Sequence, residues 1–470
     1  MNKKHTFYIN LFVFSLFLIL ISPYFLSRGM FVDGVVYANI SKNFAIGKGT
    51  FFHPFYSQTY LTNFTSHPPM FFFLQGVVFK IFGTSFLVEK IYSVLSILIT
   101  TLIMIKIYRK VELKNSFLPA LFFLIIPLTY WSATNNIIEN TLMILTTLSV
   151  LFYLLSLEKK KYLFLTLSCL SIIIGFSLKG FVALFPIVFP IFYLIINKTK
   201  PKRAIWDTVF ISAFVLIFYL FVFSLSKEAK DYFVSYFNIQ ILGDMINKKV
   251  VSSRFYILWR FIGEILIIPI LIGIYILIYY LRRKSKPIFN KSNNRVGLMF
   301  LLFSLSGVLP LMLTMKQSGF YLLPTFPFVA IGLAAFIDEN IEKTLQIKLS
   351  SLNSRILKLT TVFIFVFSII LSLSFYGKDN RDKELLHDMD IISNQIPENS
   401  IINTMPQMET EYSLFAYYAR FHNISIDLDI RNEREYILIK KEFDNSIIKS
   451  QYKSINLDTK SHYLYKKRRK

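Results

Sequence analysis

The sequence predicts a polytopic α-helical membrane protein of about eleven to thirteen crossings, with interfacial helices in a long first external loop and a small C-terminal α/β domain. Three observations carry this. The 470 residues are 54% hydrophobic and 17% charged, too apolar for a soluble domain and too long for one core. Nearly uncharged runs recur from Tyr8 to Phe375, and about 20 helical residues cross the hydrocarbon of a bilayer. The basic residues behind the net charge of +24 fall in short clusters between those runs, the positive-inside pattern and not a nucleic-acid surface.

The predicted spans are 7–26, 84–107, 116–131, 137–157, 162–178, 181–196, 205–225, 257–281, 296–315, 320–337 and 356–375. Lys3 and Lys4 precede the first, and no small-residue cleavage site follows "SPYFLSRGM", so it reads as a retained anchor. With a cytoplasmic N-terminus, strict alternation places Arg109, Lys110, Lys114, Lys159–Lys161, Lys198–Arg203 and Arg282–Lys286 inside. That agreement requires residues 69–82, "PMFFFLQGVVFKIF", to lie in the interface or re-enter. Residues 1–375 then form a transmembrane domain with external loops at 27–83 and 226–256, and residues 376–470 an external domain. In that last domain "DKELLHDMDIISNQI" and "YSLFAYYARF" have helical spacing, while "SIINTM" and "YILIKK" read as strands. The terminal "YKKRRK" is a basic patch suited to anionic headgroups. Cys169 stands alone, which leaves no disulfide framework and no thiolate metal site.

Ionisable residues gather at the external span ends. Asp33, Tyr37 and Ser41 are spaced by four, on one helix face. His67, Pro68 and Pro69 follow in the same loop; Glu139 opens a span, Lys179 sits at a hinge between two, and Lys316 and Tyr321 lie in a third turn. Charges at this depth are costly unless they face a cavity or one another. Together they suit a phosphate held by Lys179, Lys316 and His67 while Asp33 deprotonates or orients an acceptor. Each also has a plain structural role: a solvated Asp33, a capping His67, a Glu139 at a positive helix end, snorkelling lysines. The sharing of one face decides for the site. There is no HExxH pair, P-loop or nucleotide fingerprint. No cofactor is called for, and a divalent metal between Glu139 and His67 would rest on only two ligands distant in sequence.

On "VDGVVYANISKNFAIGKG", "SHPPMFFFLQGVVFKIFGTSFLVEKIYS", "ENTLMILTTLSVL", "SLKGFVALFP" and "KQSGFYLLPTFP", taken in this order, the sequence resembles bacterial GT-C glycosyltransferases of the protein mannosyltransferase and lipid A aminoarabinose transferase kind. The resemblance covers about residues 7–340. It implies Asp33 as the first-loop catalytic acid, Glu139 as a second acidic residue, Pro68 and Pro69 as the start of an interfacial helix, and Lys316 and Tyr321 near the donor phosphate. His67 occupies a place that is often lysine in aminoarabinose transferases and histidine in mannosyltransferases, and in contact with donor phosphate its charge would depend on pH near neutrality.

The expected function is inverting transfer of a sugar from a polyprenyl-phosphate donor to a lipid, glycan or protein acceptor. The expected setting is the outer face of a bacterial cytoplasmic membrane, with membrane lipids and no nucleic acid as further partners. Abundant Lys, Asn, Ile and Phe fit an AT-rich bacterial genome. Two rivals stand beside it: an oligosaccharide ligase or polymerase using a diphosphate carrier, and a polytopic lipid or solute transporter. The transporter predicts paired repeats and mid-membrane charges, neither of which the sequence displays.

Overall fold

A computed structural model describes residues 3–158, 160–196, 200–243, 249–283, 290–351, 354–443 and 450–468. Lys159, Lys198, Lys284, Lys286 and the last two residues of the basic tail, among the predicted charge clusters, lie outside the described residues.

The first third comprises α1 (Lys3–Phe25), α2 (Val32–Ala45), a short hairpin β1–β2 (Gly49–Thr50, His53–Pro54), α3 (Met70–Phe82) and α4 (Phe86–Lys110). Next come α5 (Phe117–Ile125), α6 (Pro127–Ala133), α7 (Ile138–Ser156), α8 (Lys161–Lys179), a largely 3-10 return containing α9 (Phe189–Phe192), and α10 (Pro201–Leu225). The rest of the bundle is α11 (Lys227–Tyr236), α12 (Tyr256–Ile265), α13 (Ile267–Arg283), α14 (Lys291–Val308), a 3-10 turn at Gly319–Thr325, α15 (Phe326–Ser351) and α16 (Ser354–Ser374).

Among the described residues nine helical runs are long and apolar enough to cross a membrane. One of them, Lys161–Ile196, folds back on itself, which makes it two limbs. At Gly180 the chain turns with φ +68, a conformation that favours glycine, and a Cβ on Gly175 would stand 3.2 Å from the Cβ of Ala183. In a straight helix those residues would be about 12 Å apart. The return limb reaches about 30 Å because its 3-10 segments rise about 2 Å per residue. The predicted span 116–131 is broken: Ile126 is extended and Pro127 restarts the helix at N1 of α6. The buried carboxylate of Glu264 accepts from the freed Leu128 amide at 2.9 Å. With those two adjustments the predicted alternation is preserved, and helix Met70–Phe82, about 20 Å long, is too short to span.

One end of the bundle is basic and tied by charge. Lys161 meets the buried Asp207 at 3.0 Å, Lys110 pairs with Glu158, and buried Asp338 accepts from the Lys114 and Asn115 amides and the Tyr108 hydroxyl. The other end carries α2, α3, α11 and the C-terminal domain.

That domain contains α17 (Lys383–Ser393), α18 (Tyr412–His422) and strands β3 (Ile401–Thr404), β4 (Ser425–Asp427), β5 (Tyr436–Lys440), β6 (Tyr452–Ile455) and β7 (His462–Lys467) in the order β4-β3-β5-β7-β6. The β3 pairs are parallel; β7 runs antiparallel to both neighbours. Predicted helices and the strands β3 and β5 are where the spacing puts them.

The domain is clamped to the bundle. Arg420 reaches Glu89 at 2.8 Å, both buried. Lys42 of α2 donates to the carbonyls of Ala419 and Arg420 at 2.9 and 2.7 Å, a cation on the negative end of α18. Arg28 holds Asp390 through its two terminal guanidinium nitrogens at 2.7 and 2.8 Å.

Candidate active site

Asp33 stands in the first turn of α2, and α2 is placed by contacts on three sides. A Cβ on Gly34 would lie 2.0 Å from the Asn135 carbonyl oxygen, so only glycine permits that approach. Asn135 Oδ1 accepts from the Phe31 amide at 2.7 Å, and Asn136 donates to Gly34 O at 3.1 Å while exchanging bonds with Gln75 of α3. Lys90 fixes the preceding turn by donating to the Tyr24, Ser27 and Gly29 carbonyls.

Tyr37, one turn beyond Asp33, shares a hydrogen bond with His67 Nε2 at 2.8 Å. The stretch that carries His67 is held from above by α11: the Tyr232 hydroxyl donates to the Phe64 and His67 carbonyls at 3.0 and 2.6 Å. Pro68 and Pro69 are buried and Pro69 caps α3, so they aim the loop rather than touch the cleft. Ser41 follows one turn beyond Tyr37 on the same helix. It donates back to Tyr37 O at 2.8 Å, next to the point where Gly76 of α3 presses on α2.

Lys179 ends α8. Its ammonium lies 3.0 Å from Glu139 and 5.3 Å from the ring centroid of Tyr321, with the Glu139 and Lys179 side chains 1% and 5% exposed. Glu139 therefore stands behind Lys179 as its counter-charge. Its carboxylate is engaged by the lysine and the His67 nitrogen by Tyr37, and among the described residues no cluster of three or more His, Cys, Asp or Glu side chains could hold a metal. Lys316 and Tyr321 approach on the "KQSG" turn. Gln317, 2% exposed, staples that turn by donating to the Arg254 and Thr314 carbonyls and accepting from the Ile257 amide.

His67, Lys179, Lys316 and Tyr321 line one cleft of about 430 Å³, together with Thr314, Tyr236 and apolar residues. Burial raises the Asp33 carboxyl above its ordinary range, and the charges of Lys179 and Lys316 pull it back down. Burial, reinforced by the same two lysines, holds His67 well below its usual value. That direction favours the neutral imidazole. Burial, then Asp33 and Glu139, push the Tyr37 phenol far up, which keeps it a donor.

Sequence reasoning missed three neighbours of the site. Tyr232 and Tyr236 are four apart on α11 and face the site together; Tyr236 closes over Gly180, where an added Cβ would meet its hydroxyl at 2.4 Å. Arg260, the single cation in "YILWRFIGE", lies against Gly319 and pairs with Glu264 at 2.6 Å. A lone arginine in an apolar run was the available signal.

Residues 66–227 match the family model of dolichyl-phosphate-mannose-protein mannosyltransferases. No curated protein matches the chain. Among solved structures, ArnT from Cupriavidus metallidurans bound to undecaprenyl phosphate superposes with a TM-score of 0.63 at 14% identity, covering 97% of each chain. The chain has the GT-C fold. The apo form of the same ArnT superposes at 0.62 and 13% identity with the same coverage. Within the GT-C fold of this chain, Asp33, the cleft and the C-terminal domain share one end of the bundle.

Proposed function

We propose that the protein is a membrane glycosyltransferase that moves one sugar from a polyprenyl-phosphate donor to an acceptor hydroxyl or amine by a single inverting displacement. The observation that carries the proposal is the gathering of His67, Lys179, Lys316 and Tyr321 on one cleft at the bundle end, with Asp33 one helical turn before Tyr37, the hydrogen-bond partner of His67. The GT-C fold and the undecaprenyl phosphate bound to the similar ArnT support the choice of donor.

The donor phosphate lies against Lys316 and Lys179, with the Tyr321 and His67 side chains donating to its oxygens. Asp33 takes the proton of the acceptor nucleophile as the new bond to the anomeric carbon forms. The bond from that carbon to the phosphate oxygen breaks, and the electron pair leaves on a phosphate whose charge the lysines already balance. A weakly basic leaving group needs no general acid. Direct displacement without a covalent intermediate inverts the anomeric centre. The reacting groups face the outside of a bacterial cytoplasmic membrane, the side opposite the basic end.

The test is titration of undecaprenyl phosphate into the purified chain in nanodiscs. The reading expects saturable binding that weakens at least about tenfold in Lys316→Gln, as loss of a charge-assisted contact predicts, and persists in Asp33→Asn. Binding that is equal in Lys316→Gln and the wild type would remove the donor assignment.

A further inference from the structure

Helix α2 has three faces, and each meets a different body. Gly34 and Ser41 turn toward the Asn135 carbonyl and Gly76 of α3, and Ala38 packs with Phe79 and Val88. Val32, Val35 and Val36 lie about 160° around the helix from that face and pack into the core of the C-terminal domain with Leu386, Met389 and Tyr417. Asp33 and Tyr37 occupy the strip between the two, and Tyr37 points to His67 of the cleft.

The domain bonds to α2 near both ends. Lys42 meets the end of α18, and at the start the Tyr417 hydroxyl of α18, on a side chain 1% exposed, accepts from the Met30 amide at 3.1 Å. That hydroxyl has one hydrogen and two acceptors in reach, Met30 O at 3.1 Å and Asp382 Oδ2 at 2.8 Å. The shorter, charged partner takes the hydrogen and leaves the oxygen lone pairs for the amide. The next amide, that of Phe31, goes to Asn135 of the bundle at 2.7 Å. Two consecutive amides are thus held by different bodies just before Asp33.

The domain also follows the chain that leads into α2. Arg28 and Asp379 form a parallel bridge, the Arg28 amide donates to Lys378 O at 2.8 Å, and a Cβ on Gly29 would meet the Arg381 carbonyl oxygen at 2.5 Å. Arg28, Gly29 and Met30 are therefore each fixed from the domain side.

Resting on the proposed transferase activity, we infer that Tyr417 is a positioning residue for Asp33: through the Met30 amide its hydroxyl sets where α2 begins, and the C-terminal domain is a working part of the transfer site. A displacement of about 1 Å at a reacting group costs about 10²-fold in rate, so one hydroxyl at the root of the helix is enough to matter. Tyr417→Phe keeps the ring and its packing and strands the buried Met30 amide, while Asp382 retains Arg381 at 3.8 Å.

The test compares Tyr417→Phe with Asp388→Asn, which weakens bonds internal to the same domain: Asp388 accepts from the amides of Lys460, Ser461 and His462 at 2.6, 2.8 and 2.9 Å. In cells expressing each full chain at the wild-type level, mass spectrometry should show transferred sugar about tenfold or more lower in Tyr417→Phe, with polyprenyl-phosphate sugar accumulating as in Asp33→Asn. Asp388→Asn should keep wild-type transfer although its thermal unfolding temperature falls at least as far. In nanodiscs, hydrogen exchange over residues 31–37 should quicken about tenfold in Tyr417→Phe alone, with undecaprenyl phosphate binding retained. Wild-type transfer or wild-type exchange in Tyr417→Phe overturns the inference. So does an equal loss of transfer in Asp388→Asn, or loss of undecaprenyl phosphate binding in Tyr417→Phe, since either would mean general loosening of the protein. Identical lipids in the wild type and Asp33→Asn would fail the transferase reading and take the inference with it; a difference between those two, with Tyr417→Phe matching the wild type, would remove the inference alone.

Discussion

Asp33 sits in a balance between burial, which disfavours its charge, and two lysines, which favour it. In the proposed role of base it works only when ionised, so turnover should fall as pH drops through its raised pKa. Replacing Lys316 with Gln removes one of the charges that lower that pKa, and the acid limb of the rate profile should move to higher pH, while Lys316→Arg should leave it near its original place. An unmoved limb in Lys316→Gln would mean that Asp33 does not govern it. Asp33→Asn should cost about 10²- to 10⁴-fold in turnover, the usual range for a lost general base, with the protein still binding undecaprenyl phosphate. Lys179 is a poorer probe of phosphate binding. Its loss strands the buried Glu139 carboxylate, at a cost of about 3–5 kcal/mol in structures where such pairs have been broken.

The elements explain how the Asp33 carboxylate is held in place: it stands in the first turn of a largely buried helix. Helix α2 is wedged against Asn135, α3 and α18 at once, with no room to slide. Gly34→Ala should force α2 away from the Asn135 carbonyl and abolish turnover, while the chain still inserts and elutes as a single species; wild-type activity in that variant would mean that the wedge is dispensable. Arg420→Ala should lower stability by about 3–5 kcal/mol by leaving Glu89 buried alone, read as an earlier thermal unfolding transition in detergent, whereas Arg420→Ala combined with Glu89→Leu should recover part of the loss.

At this scale the sequence was readable where a single period or a single anomaly decided the element. Apolar runs marked the spans, and α17, α18, β3 and β5 followed their alternation. The break at Pro127 was hidden because the flanking residues are as apolar as any span, and the satisfaction of the broken turn by Glu264 is a contact 136 residues distant. Strand β4 has three residues and β6 is mostly polar, too little pattern to declare a strand. In the site, Asp33, His67, Lys179, Lys316 and Tyr321 were legible as polar residues stranded at the ends of apolar runs. Their partners were not, since the Glu139–Lys179 pair and the Tyr37–His67 bond arise from packing between helices.

Across the whole molecule, polarity runs end to end. Basic residues and the Asp338 network occupy one end, and Asp33, the candidate cleft and the C-terminal domain the other, so orientation and function are one question. Single cysteines placed at exposed Arg431 and Glu158, 88% and 61% exposed, test it in intact cells, with little background because Cys169 is buried. An impermeant maleimide should label Arg431→Cys directly and Glu158→Cys only after permeabilisation; the reverse order would place the chemistry on the cytoplasmic side. Separately, the central claim is that the protein transfers a sugar from a lipid phosphate with Asp33 as base, and the most direct measurement is mass spectrometry of polyprenyl-phosphate lipids and surface glycans in cells carrying the wild-type chain, Asp33→Asn or no copy. The account predicts that both defective strains accumulate one polyprenyl-phosphate sugar and lack that same sugar on one lipid, glycan or protein. Unchanged lipids and glycans in both, with Asp33→Asn expressed at the wild-type level, would contradict it.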